Sequence, residues 1–352
     1  MYNKCILRSN KGFDALKVLH RVKLSIGLLF LAIAFSACSN NAKYQSEFFA
    51  MDTVMTITAY GENSSTAVKM CENEINHLDA LFSVENPQSQ IYNLNIDKGI
   101  TPENDTAVLL NRACELSKMT DGAFDVTVAP LVTAWGFYSQ LENRVPTQSE
   151  IDSALSKVGY ENIQINDDKI TISEYTTLDL GGIAKGYASS KAVKIMQEKG
   201  ISSAVLSLGG NVRVIGCKPN GTNWTVAVAD PDNTALQIGQ LSVADTAVVT
   251  SGGYQRFFEN NGQIYHHIID TQSGYPADSG LKSVTIVSKD DTLADALSTA
   301  LFVKGLNKSI EFYKNCNESF EAVFVTDDNK IYITPKLEGV FSSDKTFEVI
   351  DI

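Results

Sequence analysis

Three groups of residues have the types and spacing to do chemistry. The first is LDLGGIAKGYASSKAVKIM, Leu178 to Met196, where an extended segment gives way to helical spacing around Asp179, Gly181, Gly182 and Lys185. Glycine lets a ligand approach the backbone, and the N–H groups of a first helical turn carry partial positive charge, so an anion such as phosphate fits there. Lys185 in that turn opposes the helix dipole, a placement that a bound anion would relieve. The same residues also suit a helix cap and a turn. The spacing is neither G-x-x-x-x-G-K-[ST] nor G-x-G-x-x-G, which removes the P-loop and the dinucleotide fingerprint.

The second group is Asp295-x-x-x-Thr299 within DDTLADALSTALF. Positions i and i+4 share a helix face, so a carboxylate and a hydroxyl can converge on one point, and hard oxygens suit Mg²⁺ or Ca²⁺. Two ligands do not make a cage. Mg²⁺ held by few protein oxygens completes its shell with water and substrate phosphate, which would join this helix to the glycine junction. A helix surface carrying Asp and Thr toward solvent has the same pattern.

The third group is TSGGYQRFFENNGQIYHHIIDTQSGYP, Thr250 to Pro276. If Tyr265 to Ile269 is extended, His266 and His267 point to opposite faces and cannot chelate one metal together. One of them at a pocket could act as a general base; a hydrogen-bonded structural histidine reads the same way. Asp270, Gly274, Tyr275 and Pro276 suit a rigid turn. GAFDVTVAPLVTAWGF, Gly122 to Phe137, has small and aromatic residues with one acid, which fits a planar ring or an ordinary core.

The elements that must position these groups follow from periodicity. Phe48 to Tyr60 alternates as a strand, and Ser64 to Leu81, Asp105 to Thr120 and Thr147 to Lys157 have helical spacing, the last opened by Thr147-x-x-Glu150. Further helices are predicted over Ala184 to Lys199, Thr292 to Phe302 and Leu306 to Lys314. Strands are predicted at Ile163 to Ile165, Lys169 to Ile172, Ala204 to Leu208, Val212 to Ile215, Trp224 to Ala229 and Gln237 to Val243. More follow at Ala247 to Thr250, Gly262 to Ile269, Ser283 to Val287, Ala322 to Thr326 and Lys330 to Thr334, with a hairpin turn at Asp327-Asp328-Asn329. Strands outnumber helices, which favours an α+β fold with mixed or antiparallel sheets over a doubly wound one.

The chain of 352 residues opens with Lys4, Arg8, Lys11, Lys17, Arg21 and Lys23, followed by the apolar run LSIGLLFLAIAF and then Ser36-Ala37-Cys38. Basic, apolar and small residues in that order read as a signal peptide over 1–37, since about 12 apolar residues fall short of the roughly 20 that a span needs. Cys38 after small residues resembles a lipoprotein box. It would be lipidated and begin a polar tether over 38–47, leaving a globular part over 48–352; a plain signal peptide or an anchor with an incidental cysteine has the same pattern. From Cys38 onward there are 23 basic and 40 acidic residues, net −17. That surface repels nucleic acid and anionic lipid, so a lipid must hold the protein at a membrane. Cys71, Cys114, Cys217 and Cys316 lack C-x-x-C spacing, which disfavours zinc and thioredoxin-like chemistry and leaves disulfide pairing open.

In order along the chain, AMDTVMTI, TDGAFDVTVAPLVTAWGF, LDLGGIAKGYA, LSLGGNVRVIG, TSGGYQRFF, HIIDTQSGYP and ADALSTAL resemble the ApbE family of flavin transferases, over about Ala50 to Phe302. Members use FAD as substrate and, with Mg²⁺, move its FMN half to a Ser or Thr of a target flavoprotein, releasing AMP. The resemblance implies a two-lobed fold with flavin between the lobes. It implies FAD contacts at Met51, Ala123, Phe124, Asp125, Asp179, Lys185 and Ile269, and magnesium held by the Gly182 carbonyl with Asp295 and Thr299. His267, the histidine of H-x-x-D, becomes the base for the acceptor hydroxyl. Glu85, following an expected strand end at Phe82-Ser83, stands where an aromatic is common; Gly253 and Ser298 stand where some members carry acids. The implied acceptor is a flavoprotein such as a membrane redox-complex subunit with a Ser/Thr flavinylation motif, and the implied location is a bacterial membrane facing the periplasm. Water in place of the acceptor would give an FAD pyrophosphatase; a non-catalytic FAD-binding lipoprotein is the other alternative.

Overall fold

Ala247, Val248 and Val249 show how the core is built. The first and third pack into one apolar cluster with the helices, while the second packs into another cluster on the opposite side of the sheet. Side chains alternate along a strand, so these residues must lie in a sheet covered on both faces. The neighbouring strand Leu281–Ser288 is buried almost throughout for the same reason. The computed structural model describes residues 42–138, 140–166 and 168–351. The basic and apolar leader, Cys38 and the first part of the expected tether lie outside the described residues.

The main sheet has nine strands whose order follows the chain: Lys43–Ala50, Thr53–Tyr60, Ser203–Leu208, Asn211–Ile215, Thr246–Gly252, Leu281–Ser288, Glu321–Thr326, Ile331–Ile333 and Phe347–Val349. Neighbours are antiparallel except the last pair. Among the described residues, helices cover Ser64–Phe82, Gln90–Asp97, Asn104–Met119, Ala129–Trp135, Gln148–Leu155, Ala184–Glu198 and Asp291–Asn315. None is long and apolar enough to cross a membrane. The expected α+β class is what the chain adopts.

Alternating strand direction has a consequence for function. The turns after Ala50, after Leu208 and after Gly252 all fall at one end of the sheet. The first two are two-residue turns, Met51-Asp52 and Gly209-Gly210, with positive φ at all four positions. Glycine adopts that conformation freely, but Met51 and Asp52 hold it at a conformational penalty of the kind found near functional sites. The turns touch: a Cβ at Gly209 would lie 2.4 Å from the Thr53 side chain.

Several boundaries differ from expectation. Phe48 to Tyr60 is two strands, because the Met51-Asp52 turn interrupts the alternation. Pairing already begins at Lys43, opposite Tyr60, so Lys43 to Glu47 is an edge strand rather than tether. Phe82 ends a helix, not a strand. The strand expected over Gly262 to Ile269 stops at His266, where it pairs with Phe257 of a short strand, Phe257–Asn260, that periodicity did not indicate. The Thr147 and Glu150 capping box forms as expected. Gly305, with φ 74° and ψ 170°, breaks Asp291–Asn315 where two helices were expected. The four cysteines of the described residues are free thiols.

Candidate active site

Leu178, Leu180 and Ile183 are buried in the core, and this alternation turns Asp179, Gly181 and Gly182 toward a cleft. The Asp179 N–H donates to the Val126 carbonyl at 2.7 Å. One Asp179 carboxylate oxygen accepts from the Gly181 N–H at 2.7 Å and the other from the Tyr138 hydroxyl at 2.8 Å. The Tyr138 phenol is pushed well above its ordinary pKa by burial and then by Asp179, so it stays a donor. The helix that follows has no side-chain cap. Its Gly186 N–H is instead taken by Asp295 Oδ2 at 2.8 Å. The anion expected at this helix start is thus supplied in part by the protein itself, a favourable placement beside the positive end of the helix.

Gly186 is where the two site helices cross. A Cβ there would lie 2.4 Å from the Asp291 carbonyl oxygen and 2.7 Å from the Asp295 Cβ, so only glycine allows this approach. One turn beyond Asp295, the Thr299 hydroxyl sits 3.8 Å from the Cβ position of Gly182 and 3.3 Å from Ser251 Oγ. Ser251 Oγ is 2.7 Å from Ser298 Oγ, which donates to the Asp295 carbonyl at 2.8 Å. With Thr299 donating to Ser251 and Ser251 to Ser298, each hydroxyl proton is used once and the Thr299 lone pairs remain for a ligand. Ser298 is buried against Ser251.

His266 and His267 part company as the alternation requires. His266 Nε2 lies 3.1 Å from the Ala277 carbonyl oxygen and its ring packs edge-on against Phe302. His267 faces the cleft, with its N–H donating to the Arg256 carbonyl at 3.0 Å and its Nδ1 3.2 Å from the same oxygen. A carbonyl oxygen only accepts, so Nδ1 carries the proton and Nε2 presents a lone pair. Burial, ahead of the cations Arg256 and Lys185, pushes the His267 pKa down to about 4. The imidazole is neutral at physiological pH.

The cleft has a volume of about 730 Å³, inside the range of roughly 300–1,000 Å³ usual for small-molecule sites. Met51, Ala123, Phe124, Asp125, Asp179, Lys185, Ile269, Gly182, Asp295, Thr299 and His267 all line it. Cys38 lies outside the described residues. Phe124 packs over the junction, its ring 3.2 Å from the Cβ position of Gly182. Asp125 is the least available of the set. One oxygen accepts from the Thr127 N–H and hydroxyl at 2.8 and 2.6 Å, and the other from the Tyr160 N–H at 2.9 Å. Burial raises its pKa.

Six acids, Asp52, Asp79, Glu85, Asp125, Asp179 and Asp295, share the lining with two basic residues, Lys185 and Arg256. A bare pyrophosphate would be repelled by such a wall, and a divalent cation held by hard oxygens removes the conflict. The Asp295 carboxylate, the Thr299 hydroxyl and the Gly182 carbonyl are donors of that class. Sequence reading passed over Tyr138, Ser251 and Arg256. The latter two stand inside the TSGGYQRFF stretch, but nothing local marks them as facing a ligand.

The ApbE family model matches residues 51–324. The chain belongs to the ApbE family. Among its relatives, the FAD:protein FMN transferase of Klebsiella pneumoniae is 31% identical over 326 residues, covering 89% of this chain and 99% of that protein. That of Escherichia coli K12 is 27% identical, covering 91% and 98%. Among solved structures, the ApbE protein of Thermotoga maritima has a TM-score of 0.79 at 32% identity, covering 85% of this chain and 99% of that one. The apo flavinyl transferase ApbE of Pseudomonas stutzeri has a TM-score of 0.78 at 26% identity, covering 88% and 99%. Every strand-end turn and helix start that lines the cleft lies inside the span matched to the ApbE family.

Proposed function

We propose that this ApbE-family chain is an Mg²⁺-dependent FAD:protein FMN transferase that attaches FMN through a phosphoester to a Ser or Thr of a flavoprotein acceptor and releases AMP. The observation that carries the reading is the convergence of the FAD, metal and base residues on one cleft in a chain whose relatives bear that name. Met51, Ala123, Phe124, Asp125, Asp179, Lys185 and Ile269 bind FAD, with the Phe124 ring and the Met51 turn as apolar walls. Asp125 serves through its backbone and shape, since its carboxylate is occupied within the protein.

Asp295, Thr299 and the Gly182 carbonyl would hold Mg²⁺, which when bound neutralises charge on the pyrophosphate. The acceptor hydroxyl gives its proton to His267 Nε2 while its oxygen bonds to the FMN phosphorus. The bond from that phosphorus to the bridging oxygen breaks, and AMP leaves with that oxygen. The neutral, Nδ1-protonated His267 is ready for this task without prior deprotonation. Lys185 stabilises phosphate charge from the junction. Export through 1–37 and lipid attachment at Cys38, with the domain facing the periplasm, belong to the same proposal, as does an acceptor in a membrane redox complex.

Incubating a candidate acceptor with FAD and Mg²⁺ and measuring intact mass tests the reading. Acceptor heavier by one FMN supports it; FMN and AMP in solution with unmodified acceptor would identify a pyrophosphatase, and unchanged FAD a binding protein.

A further inference from the structure

Arg256 is an exception among its kind. Of the four arginines in the described residues, Arg112, Arg144 and Arg213 each pair with at least one carboxylate. Arg256 pairs with none among the described residues, although the cleft it lines carries six acids. Its Nη2 donates to the Phe137 carbonyl, which ties the guanidinium to the segment holding Tyr138, and the side chain is otherwise exposed. A guanidinium has five N–H donors in a planar fork suited to phosphate oxygens, and most of these are unspent here.

Its backbone adds a second, independent fact. The Arg256 carbonyl is the oxygen that accepts from both the His267 N–H and Nδ1–H. The residue that sets the tautomer of the base is also one whose charge acts on it across the cleft that both line. A hydroxyl whose proton goes to His267 Nε2 must lie between that atom and the phosphorus under attack. A cation within electrostatic reach of His267 is then closer to that phosphorus than to the distal, adenosine end.

We propose that Arg256 is a catalytic residue whose guanidinium binds the non-bridging oxygens of the FMN phosphoryl group during transfer, with Lys185 acting on the same pyrophosphate from the glycine junction. The inference rests on the transferase reading. In the transfer itself Arg256 forms and breaks no covalent bond. Its contribution grows as charge concentrates on the phosphoryl oxygens, so it acts on turnover more than on ground-state binding.

Arg256→Gln and Arg256→Lys test this alongside the parent protein, with acceptor mass gain followed at saturating FAD and acceptor, FAD affinity measured by titration, and folding checked by thermal melting. In Arg256→Gln, kcat should fall by about 10²- to 10³-fold with FAD affinity changed far less, and Arg256→Lys should recover part of the loss. The acid limb of the rate profile should move to higher pH in Arg256→Gln, because one of the charges depressing His267 is then removed while Lys185 and His266 remain. A raised acceptor KM at unchanged kcat, or a rate loss no larger than the loss of folded protein in both variants, would overturn the assignment. Transfer absent from the parent as well would refute the transferase reading itself, whereas an active parent with equally active variants would refute only this role for Arg256.

Discussion

His267 Nδ1 lies 3.2 Å from the Arg256 carbonyl oxygen, a contact that fixes the tautomer of the base while its neighbour His266 turns to the Ala277 carbonyl. Replacing His267 by Ala should therefore leave FAD binding nearly intact and lower transfer by roughly 10²- to 10⁴-fold, with partial recovery at high pH where hydroxide replaces the base. His266→Ala should lower the melting temperature through loss of its Phe302 packing and affect the chemical step much less. Rates and melting curves of the two variants over pH separate the roles.

The depressed pKa of His267 also has a stability signature. In the unfolded chain it titrates near 6.5 and in the folded protein at about 4, so between these values the unfolded state binds more protons. Its contribution is fully present above about pH 6.5 and is lost as pH falls toward 4. His267→Gln should flatten the decline of melting temperature across that window; an unchanged slope would show that the imidazole is not held neutral.

Asp295 makes one hydrogen bond with the Gly186 N–H, so its substitution can be split into two effects. Asp295→Asn keeps an acceptor for that N–H but removes charge, and should lose turnover by about 10²-fold or more while remaining folded. Its residual activity should respond to Mg²⁺ only at much higher concentration than the parent. A parental Mg²⁺ titration would remove Asp295 from the metal site.

Gly186→Ala would put a methyl group 2.4 Å from the Asp291 carbonyl oxygen, a backbone atom that cannot rotate away. Pushing apart the helices that carry Lys185 and Asp295 should cost about 1–3 kcal/mol, read from denaturant unfolding, and weaken the Mg²⁺ response. The nearby buried pair Arg213–Asp291, 3.2 Å apart, gives a sharper stability test. Asp291→Ala leaves Arg213 buried without its counter-ion and should destabilise by about 3–5 kcal/mol.

If Cys38 is lipidated, Cys38→Ala should release the protein from membranes or stall its processing, because the chain from Cys38 onward is acidic and no helix among the described residues is long and apolar enough to cross a membrane. Membrane fractionation with the mass of the mature N-terminus checks this; unaltered fractionation and an N-terminus without acyl mass would remove the lipid anchor.

Local patterns made much of the site legible. Alternation separated His266 from His267, i,i+4 spacing put Asp295 with Thr299, and the glycine junction marked a stretch of backbone that lines the cleft. What stayed hidden depends on tertiary contacts. The Met51-Asp52 turn lacks the Asn-Gly or Gly-Gly chemistry that announces a hairpin, so two strands read as one. The helix Ala129–Trp135 is short and β-branched around Pro130, and it owes its place to buried Leu131 and Trp135. That Asp125 spends one oxygen on the N–H of Tyr160, and that Arg256 pairs with no carboxylate among the described residues, depend on segments distant in sequence.

The central claim is that one cleft passes FMN from FAD to a protein hydroxyl. Quantifying AMP release and acceptor mass gain in the same Mg²⁺-containing reaction, with the parent acceptor and with its target Ser or Thr changed to Ala, tests it most directly. The expected result is one AMP released for each FMN attached, with both lost together on the altered acceptor. AMP released at the same rate with either acceptor, and no mass gain on the intact one, would contradict it.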